Sequence, residues 1–259
     1  MSGWVAPAPV RSIRAAFAFL TRIPVGGFPY RPEDWAWSAA HFPLVGVLLG
    51  VGLAALHALL ARGLGDGLAV GLLVVGASMV LTGGFHEDGL ADSADALGGA
   101  YDRAKLFEIL KDSRIGTFGA AALVVSIGVR AALYADLGPA CLWALPLAAC
   151  AARVGPVWLI VALPYATPAG SRSKPVAQAG LAQAAVATAW LVLAAAATAG
   201  VAGVSPARIG AMVAVLAVVT VVSGAVYRAR AGGITGDFLG ATEQIGEVAA
   251  LVALAWSAR

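Results

Sequence analysis

The chain has 259 residues, of which 60% are hydrophobic and only 12% charged, with a net charge of +3. A soluble domain of this length carries about twice that charge. The mean hydropathy of +0.86 and several apolar runs of about 18 residues or more exclude a soluble globular fold and predict a polytopic helical membrane protein.

Residues 11–23 are amphipathic: Arg11, Arg14, Thr21 and Arg22 share one face, and Ile13, Ala16, Phe17, Leu20 and Ile23 the other. This predicts a helix lying along the membrane surface, ended by Pro24, Gly26, Gly27 and Pro29. Trp35 and Trp37 mark an interface belt. Spanning helices are expected at roughly 41–61, 67–83, 117–135, 140–163, 183–204, 208–227 and a short 245–257. The fold class is therefore all-α, a transmembrane helical bundle of about seven spans with an N-terminal interfacial helix, forming a single domain over 1–259. Gly46 and Gly50 form a GxxxG face, serving either close packing within one subunit or the seam of a homo-oligomer. Pro146 and Pro156 are expected to kink the fourth span. Cys141 and Cys150 point in opposite directions on one helix and suggest neither a disulfide nor a metal site.

The N-terminal segment 1–40 and the loops 84–116, 164–182 and 228–244 hold most of the charged residues, whereas loops 62–66, 136–139 and 204–207 are short and carry only Arg62, Asp66 and Asp136. The positive-inside rule then places all four charged segments in the cytoplasm. All polar chemistry gathers in one cytoplasmic mouth of a multi-pass protein of the inner membrane. Nothing points to a nucleic-acid partner; the surroundings are the lipid bilayer. Arg130 and Arg153 fall within spans, where an arginine needs a partner or water. Arg130 reads as structural, and Arg153 as the one that points inward.

Three clusters carry the chemistry. The first, Gly83-Gly84-Phe85-His86-Glu87-Asp88-Gly89-Leu90-Ala91-Asp92-Ser93-Ala94-Asp95, packs five ionisable side chains into ten residues. On a helix, Asp88, Asp92 and Asp95 fall within about 60° of one another, roughly 5–6 Å apart at Cβ. Such carboxylates call for a counter-charge, and hard oxygen ligands favour Mg²⁺, Mn²⁺ or Ca²⁺. The second, Lys111-Asp112-Ser113-Arg114-Ile115-Gly116-Thr117-Phe118-Gly119, sets two cations beside a glycine-containing helix start whose free N–H groups suit a phosphate; a purely topological anchor is the plainer alternative. The third runs from Gly232 to Glu247. Its Asp237, Glu243 and Glu247 lead straight into an apolar helix, where a glutamate is seldom passive, and its glycines suit close backbone approach.

A metal site, an anion site and a glycine-rich acidic turn at one mouth suggest diphosphate chemistry, with metal bridging the phosphates and cations neutralising the charge that develops. There is no P-loop and no nucleophile triad. The nucleophile is then a substrate hydroxyl and the base a carboxylate.

The three clusters, in this order, together with Phe19-Leu20-Thr21-Arg22-Ile23-Pro24, resemble the cobalamin synthase (adenosylcobinamide-GDP ribazoletransferase) family. The resemblance runs the length of the chain but departs in the loop after the fourth span, Tyr165 to Lys174, where Arg172 stands in a shifted position. It implies a Mg²⁺-dependent phosphotransferase that joins adenosylcobinamide-GDP to α-ribazole or α-ribazole 5′-phosphate and releases GMP. On this reading Asp88, Asp92 and Asp95 hold metal, and Lys111, Arg114, Arg153, Glu243 and Glu247 face substrate. His86, Glu87, Asp112 and Asp237 are candidates for the base or its support. The competing classes are a CDP-alcohol-type phosphotransferase or prenyltransferase, whose motifs residues 88–95 and 232–247 match poorly, and an ion-coupled transporter, for which an internal repeat is missing.

Overall fold

The computed structural model describes residues 8–27, 29–166 and 178–256. Arg172 and Lys174 of the divergent loop lie outside them. Among the described residues the fold is helical throughout, with no strand beyond a single bridge between Tyr165 and Ile234. The helices are α1 (Ala8–Leu20), α2 (Pro32–Ser38), α3 (Phe42–Leu64), α4 (Leu68–Thr82), α5 (Phe85–Gly99), α6 (Arg103–Ile109), α7 (Thr117–Leu137), α8 (Cys141–Ala152), α9 (Val154–Ala162), α10 (Leu181–Ala202), α11 (Pro206–Ala231) and α12 (Gly236–Trp256).

Among the described residues, five helical stretches are long and apolar enough to cross a membrane, six if the bent pair α4–α5 counts as one. The stretch Thr117–Ala162 spans 46 residues. At 1.5 Å per residue that is about 69 Å, more than twice the hydrocarbon thickness, which is the length of two crossings. Gly138, at φ 50°, turns the chain between them.

Three local expectations are corrected. The fourth span is broken rather than gently kinked: α8 ends at Ala152, and α9 starts at Val154. Pro156 removes the N–H that would bond to the Ala152 carbonyl and crowds that carbonyl, so the helix breaks at Arg153. The segment 228–244 is not a loop. Helix α11 runs to Ala231, a tight turn follows, and α12 starts at Gly236, with Thr235 Oγ1 accepting from the N–H of Phe238 at 3.2 Å. The final helix is therefore 21 residues long rather than a short 245–257 span. Segment 84–116 likewise holds two helices, α5 and α6.

Small residues set the helix spacing. The Gly46–Gly50 face packs against α8 within the subunit: a Cβ on Gly50 would lie 2.5 Å from Pro146 Cα, and one on Gly46 would meet the Ala149 carbonyl. Gly71 brings α4 equally close to Ala131 of α7. Helix α12 is central, packed on α5, α7, α8, α9 and α11, with Ala250, Leu251 and Leu254 fully buried. Helix α1 packs on α2 and α3, burying Ala15, Ala16 and Leu20, and Arg11 pairs with Asp34 at 3.0 Å.

One end of the bundle gathers the polar segments. The Arg22 N–H donates to the Leu81 carbonyl at 2.7 Å, the Ile234 N–H to Pro164 at 2.9 Å, and Arg230 to the Ala100 carbonyl at 2.7 Å. The short connections meet at the other end, where Gly138 approaches Asp66.

Candidate active site

Gly83 and Gly84 both take left-handed backbone angles, φ 70° and 67°, which a side chain disfavours. They turn the chain by 95° between α4 and α5. The first turn of α5 is thereby laid across the polar end of the bundle. It sends neighbouring side chains in opposite directions: Glu87 is buried and Asp88 exposed. Asp92, half-buried, follows one turn on.

Asp88 and Asp92 line an open cavity of about 1120 Å³ together with Glu87, Thr21, Arg22, Trp35, Thr82, Gly83 and Ser113. Asp237 of α12 does not line the cavity itself but lies close enough to Asp88 and Asp92 to interact with their charges. Gly89 makes this possible, since a Cβ there would lie 2.8 Å from the Asp237 carbonyl oxygen. The first and third sequence clusters thus meet through their glycines. Asp92 feels the charges of Asp88, Asp237 and Asp95, and Asp237 feels Asp88. Among the described residues no lysine or arginine pairs with Asp88, Asp92 or Asp237.

Asp95 shares the helix face but not the environment. Its two oxygens accept from the N–H groups of Gly116, at 2.7 Å, and Gly119, at 2.8 Å. It closes the start of α7, and the anion site expected there is already filled by this carboxylate. The three aspartates do not form one cage, and no group of three or more His, Cys, Asp or Glu side chains is gathered around a metal position among the described residues. Lys111 is exposed. Arg114, 86% exposed, forks onto Asp112, with Nη2 to Oδ2 at 2.6 Å. This hydrogen bonding holds the Asp112 carboxyl down from 3.8 to about 2. The pair borders a separate recess with Asp95 and Thr117, while the residues on either side of Arg114, Ser113 and Ile115, line the main cavity.

Below the cavity lies a sealed charge layer. Arg130, fully buried, donates to Glu87 Oε1 at 3.0 Å and stands 3.8 Å from Glu247. Tyr134 donates to Glu247 at 3.2 Å. Arg153, freed by the break between α8 and α9, pairs with Glu243 at 2.9 Å and donates to the Ala149 carbonyl at 2.7 Å. His86 Nδ1 stands 3.7 Å from the other Glu243 oxygen, which also accepts from Gln244 at 3.0 Å. Arg153, Glu243 and Glu247, expected to face substrate, are thus engaged with one another and with Arg130, and His86 turns toward Glu243 rather than toward the aspartates. A small, mostly apolar slot of about 40 Å³ touches Arg153, His86 and Glu243, and one of about 10 Å³ touches Arg153, Tyr134 and Glu247. Glu87 joins the two regions: it lines the cavity, and its Oε2 has no hydrogen-bond partner.

Arg130, expected to be structural and to need a partner inside its span, is engaged by Glu87 and Glu247. Arg22 is the cavity residue that the sequence does not mark: the amphipathic pattern places it on the polar face of a surface helix, and its neighbours in the cavity come from α4 and α5. Cys141 and Cys150 are free and buried, and neither lines the cavity.

Sequence comparison finds relatives along nearly the whole chain. A family model described as cobalamin-5-phosphate synthase matches residues 12–255. Curated relatives named adenosylcobinamide-GDP ribazoletransferase include those of Leptothrix cholodnii, 43% identical over 94% of this chain and 93% of that protein, Polaromonas sp. JS666, 40% identical over 96% and 97%, and Sinorhizobium medicae, 37% identical over 94% and 95%. No solved structure matches.

Proposed function

The chain belongs to the cobalamin-5-phosphate synthase family, and on that premise we propose that it joins adenosylcobinamide-GDP to α-ribazole 5′-phosphate in a Mg²⁺-dependent transfer that releases GMP. At the coarser level it is a multi-pass membrane transferase of cobalamin synthesis. The 5-phosphate in the family's description favours the phosphorylated ribazole over free α-ribazole.

The observation that carries the reading is the set of carboxylates at the cavity, Asp88 and Asp92 with Asp237 beside them, clustered with like charges and paired with no cation among the described residues. Mg²⁺ is usually held by one or two carboxylates, substrate phosphate oxygens and water, not by an all-protein cage. Asp88 and Asp92 fit that requirement with Asp237 in support, whereas a three-aspartate cage including Asp95 does not. Bound there, Mg²⁺ would supply charge neutralisation to the diphosphate.

The remaining roles belong to the chain. A ribose hydroxyl oxygen of the ribazole attacks the phosphorus bonded to cobinamide, and the bond from that phosphorus to the GMP oxygen breaks. The hydroxyl proton passes to a carboxylate, and Glu87 is the candidate: it lines the cavity, Arg130 fixes its Oε1, and its Oε2, buried as the side chain lies here, has no hydrogen-bond partner. Asp112 is tied to Arg114, and His86 faces Glu243. Lys111 and Arg114 stand outside the cavity lining, where they meet the outer part of an anionic substrate.

The mouth is assigned to the cytoplasmic side of the inner membrane, supported by the basic residues Arg22, Arg103, Lys105, Lys111, Arg114, Arg228 and Arg230 at this end. Cysteines at the exposed positions Ala104 and Ala229, in a chain lacking Cys141 and Cys150, should resist an impermeant thiol reagent added to intact cells. Labelling from outside would reverse the orientation. The activity itself is tested by incubating purified protein with adenosylcobinamide-GDP and α-ribazole 5′-phosphate: stoichiometric GMP and cobalamin 5′-phosphate are expected, and binding without GMP release would point to a carrier.

A further inference from the structure

We infer that Arg22, at the end of α1, is the cation that grips the diphosphate of the nucleotide-bearing substrate inside the cavity. The inference rests on the function proposed above and deepens it by naming a residue of the same site. Among the described residues that line the large cavity, Arg22 is the one lysine or arginine, and the other charged groups are Glu87, Asp88 and Asp92. Among the described residues it has no carboxylate partner. By contrast Arg114 is forked onto Asp112 and borders a different recess, while Arg130 and Arg153 are engaged by buried glutamates.

Arg22 is also held in place. Its N–H donates to the Leu81 carbonyl at 2.7 Å, and its guanidinium lies over Gly83, where an added Cβ would sit 3.1 Å from Cζ and collide with Nε. Gly83 therefore does two jobs: it turns the chain into α5, and it leaves room for the planar group beside the aspartates. A guanidinium so placed can grip two phosphate oxygens at once. A metal held by Asp88 and Asp92 would supply further charge neutralisation to the same diphosphate. The inferred role is to bind the ground state and to neutralise charge as GMP departs; Arg22 takes no proton.

The test uses the full chain in detergent, with GDP as the probe of the diphosphate site and adenosylcobinamide-GDP as substrate. Arg22 is exposed, so Arg22→Gln should leave folding intact. It should weaken GDP binding at least tenfold and raise KM for adenosylcobinamide-GDP by a similar factor, while the half-saturating Mg²⁺ concentration changes less. Arg22→Lys should recover only part of the affinity, and Gly83→Ala, which displaces the guanidinium, should resemble Arg22→Gln. Arg62→Gln, at the far end of α3, should change nothing. GDP affinity and KM within twofold of wild type for Arg22→Gln would overturn the inference and leave Arg22 as a surface anchor. Wild-type protein that binds GDP but forms no cobalamin product would instead remove the transfer reaction, and the GDP measurement would still decide Arg22.

Discussion

Glu87 and Asp88 are neighbours in sequence and use their charges differently. Glu87, at the cavity wall, turns its charge to Arg130 in a buried layer that continues through Glu247, Arg153, Glu243 and His86. Asp88 faces an open cavity with Asp92 and Asp237 nearby and no cation partner among the described residues. The contrast separates two uses of charge in a membrane protein. Paired buried charges fix how α5, α7 and α12 sit against one another. Unpaired charges at the mouth repel until a ligand joins them, and the fold carries that cost because the layer beneath holds the helices in place.

The largest effect is expected from breaking the layer. Arg130→Met leaves Glu87 and Glu247 buried without their cation and should cost about 3–5 kcal/mol, seen as a marked fall in melting temperature in detergent. Adding Glu247→Gln should return part of the loss, since one orphaned charge is removed. Equal melting of wild type and Arg130→Met would make the layer dispensable.

At the mouth the sign of the stability effect should reverse. Asp92→Asn removes a like charge from the aspartate cluster, so melting should hold or rise. Turnover should fall at least a hundredfold, about 2.7 kcal/mol of transition-state stabilisation. Lower stability with retained turnover would assign Asp92 to the scaffold.

Between the two regions lies the contact of Gly89 with Asp237. Gly89→Ala inserts a methyl where a Cβ meets the Asp237 carbonyl oxygen at 2.8 Å. It should cost about 1–3 kcal/mol and lower activity by moving Asp237 away from Asp88. Unchanged activity would remove Asp237 from the site.

The smallest effect is expected at Arg114. Its side chain is 86% exposed and its fork is occupied by Asp112, so Arg114→Lys should change KM by about threefold or less. The pair also adds little pH dependence. The folded-state value of Asp112 is depressed from 3.8 to about 2, so its contribution is present above the ordinary value and is lost only as pH falls through about 2. Stability between pH 5 and 8 should not vary on its account; Asp112→Asn should leave the stability profile in that range unchanged.

Much of this was legible in the chain. Apolar runs gave the helical bundle, and the spacing of Asp88, Asp92 and Asp95 gave a helix with one acidic face, now α5. Periodicity could not say what that face meets. Asp95 faces Gly116 and Gly119, 21 and 24 residues away, and only tertiary packing assigns it to the start of α7 instead of to the cavity. The GxxxG face was legible as a close contact, while its partner, α8, was not. In sequence the turn at 232–235 reads as part of a long loop, because Asp237, Glu243 and Glu247 look hydrophilic there; Arg153 and Arg130 are what let the two glutamates lie inside a buried helix.

The account stands most directly on the metal dependence of GMP release. Purified wild-type protein and Asp92→Asn, both stripped with chelator, should be titrated with Mg²⁺ in the presence of adenosylcobinamide-GDP and α-ribazole 5′-phosphate. Wild type should release no GMP before metal is added and then reach saturation, while Asp92→Asn should stay near zero throughout. GMP release by stripped wild type, or a wild-type curve from Asp92→Asn, would contradict it.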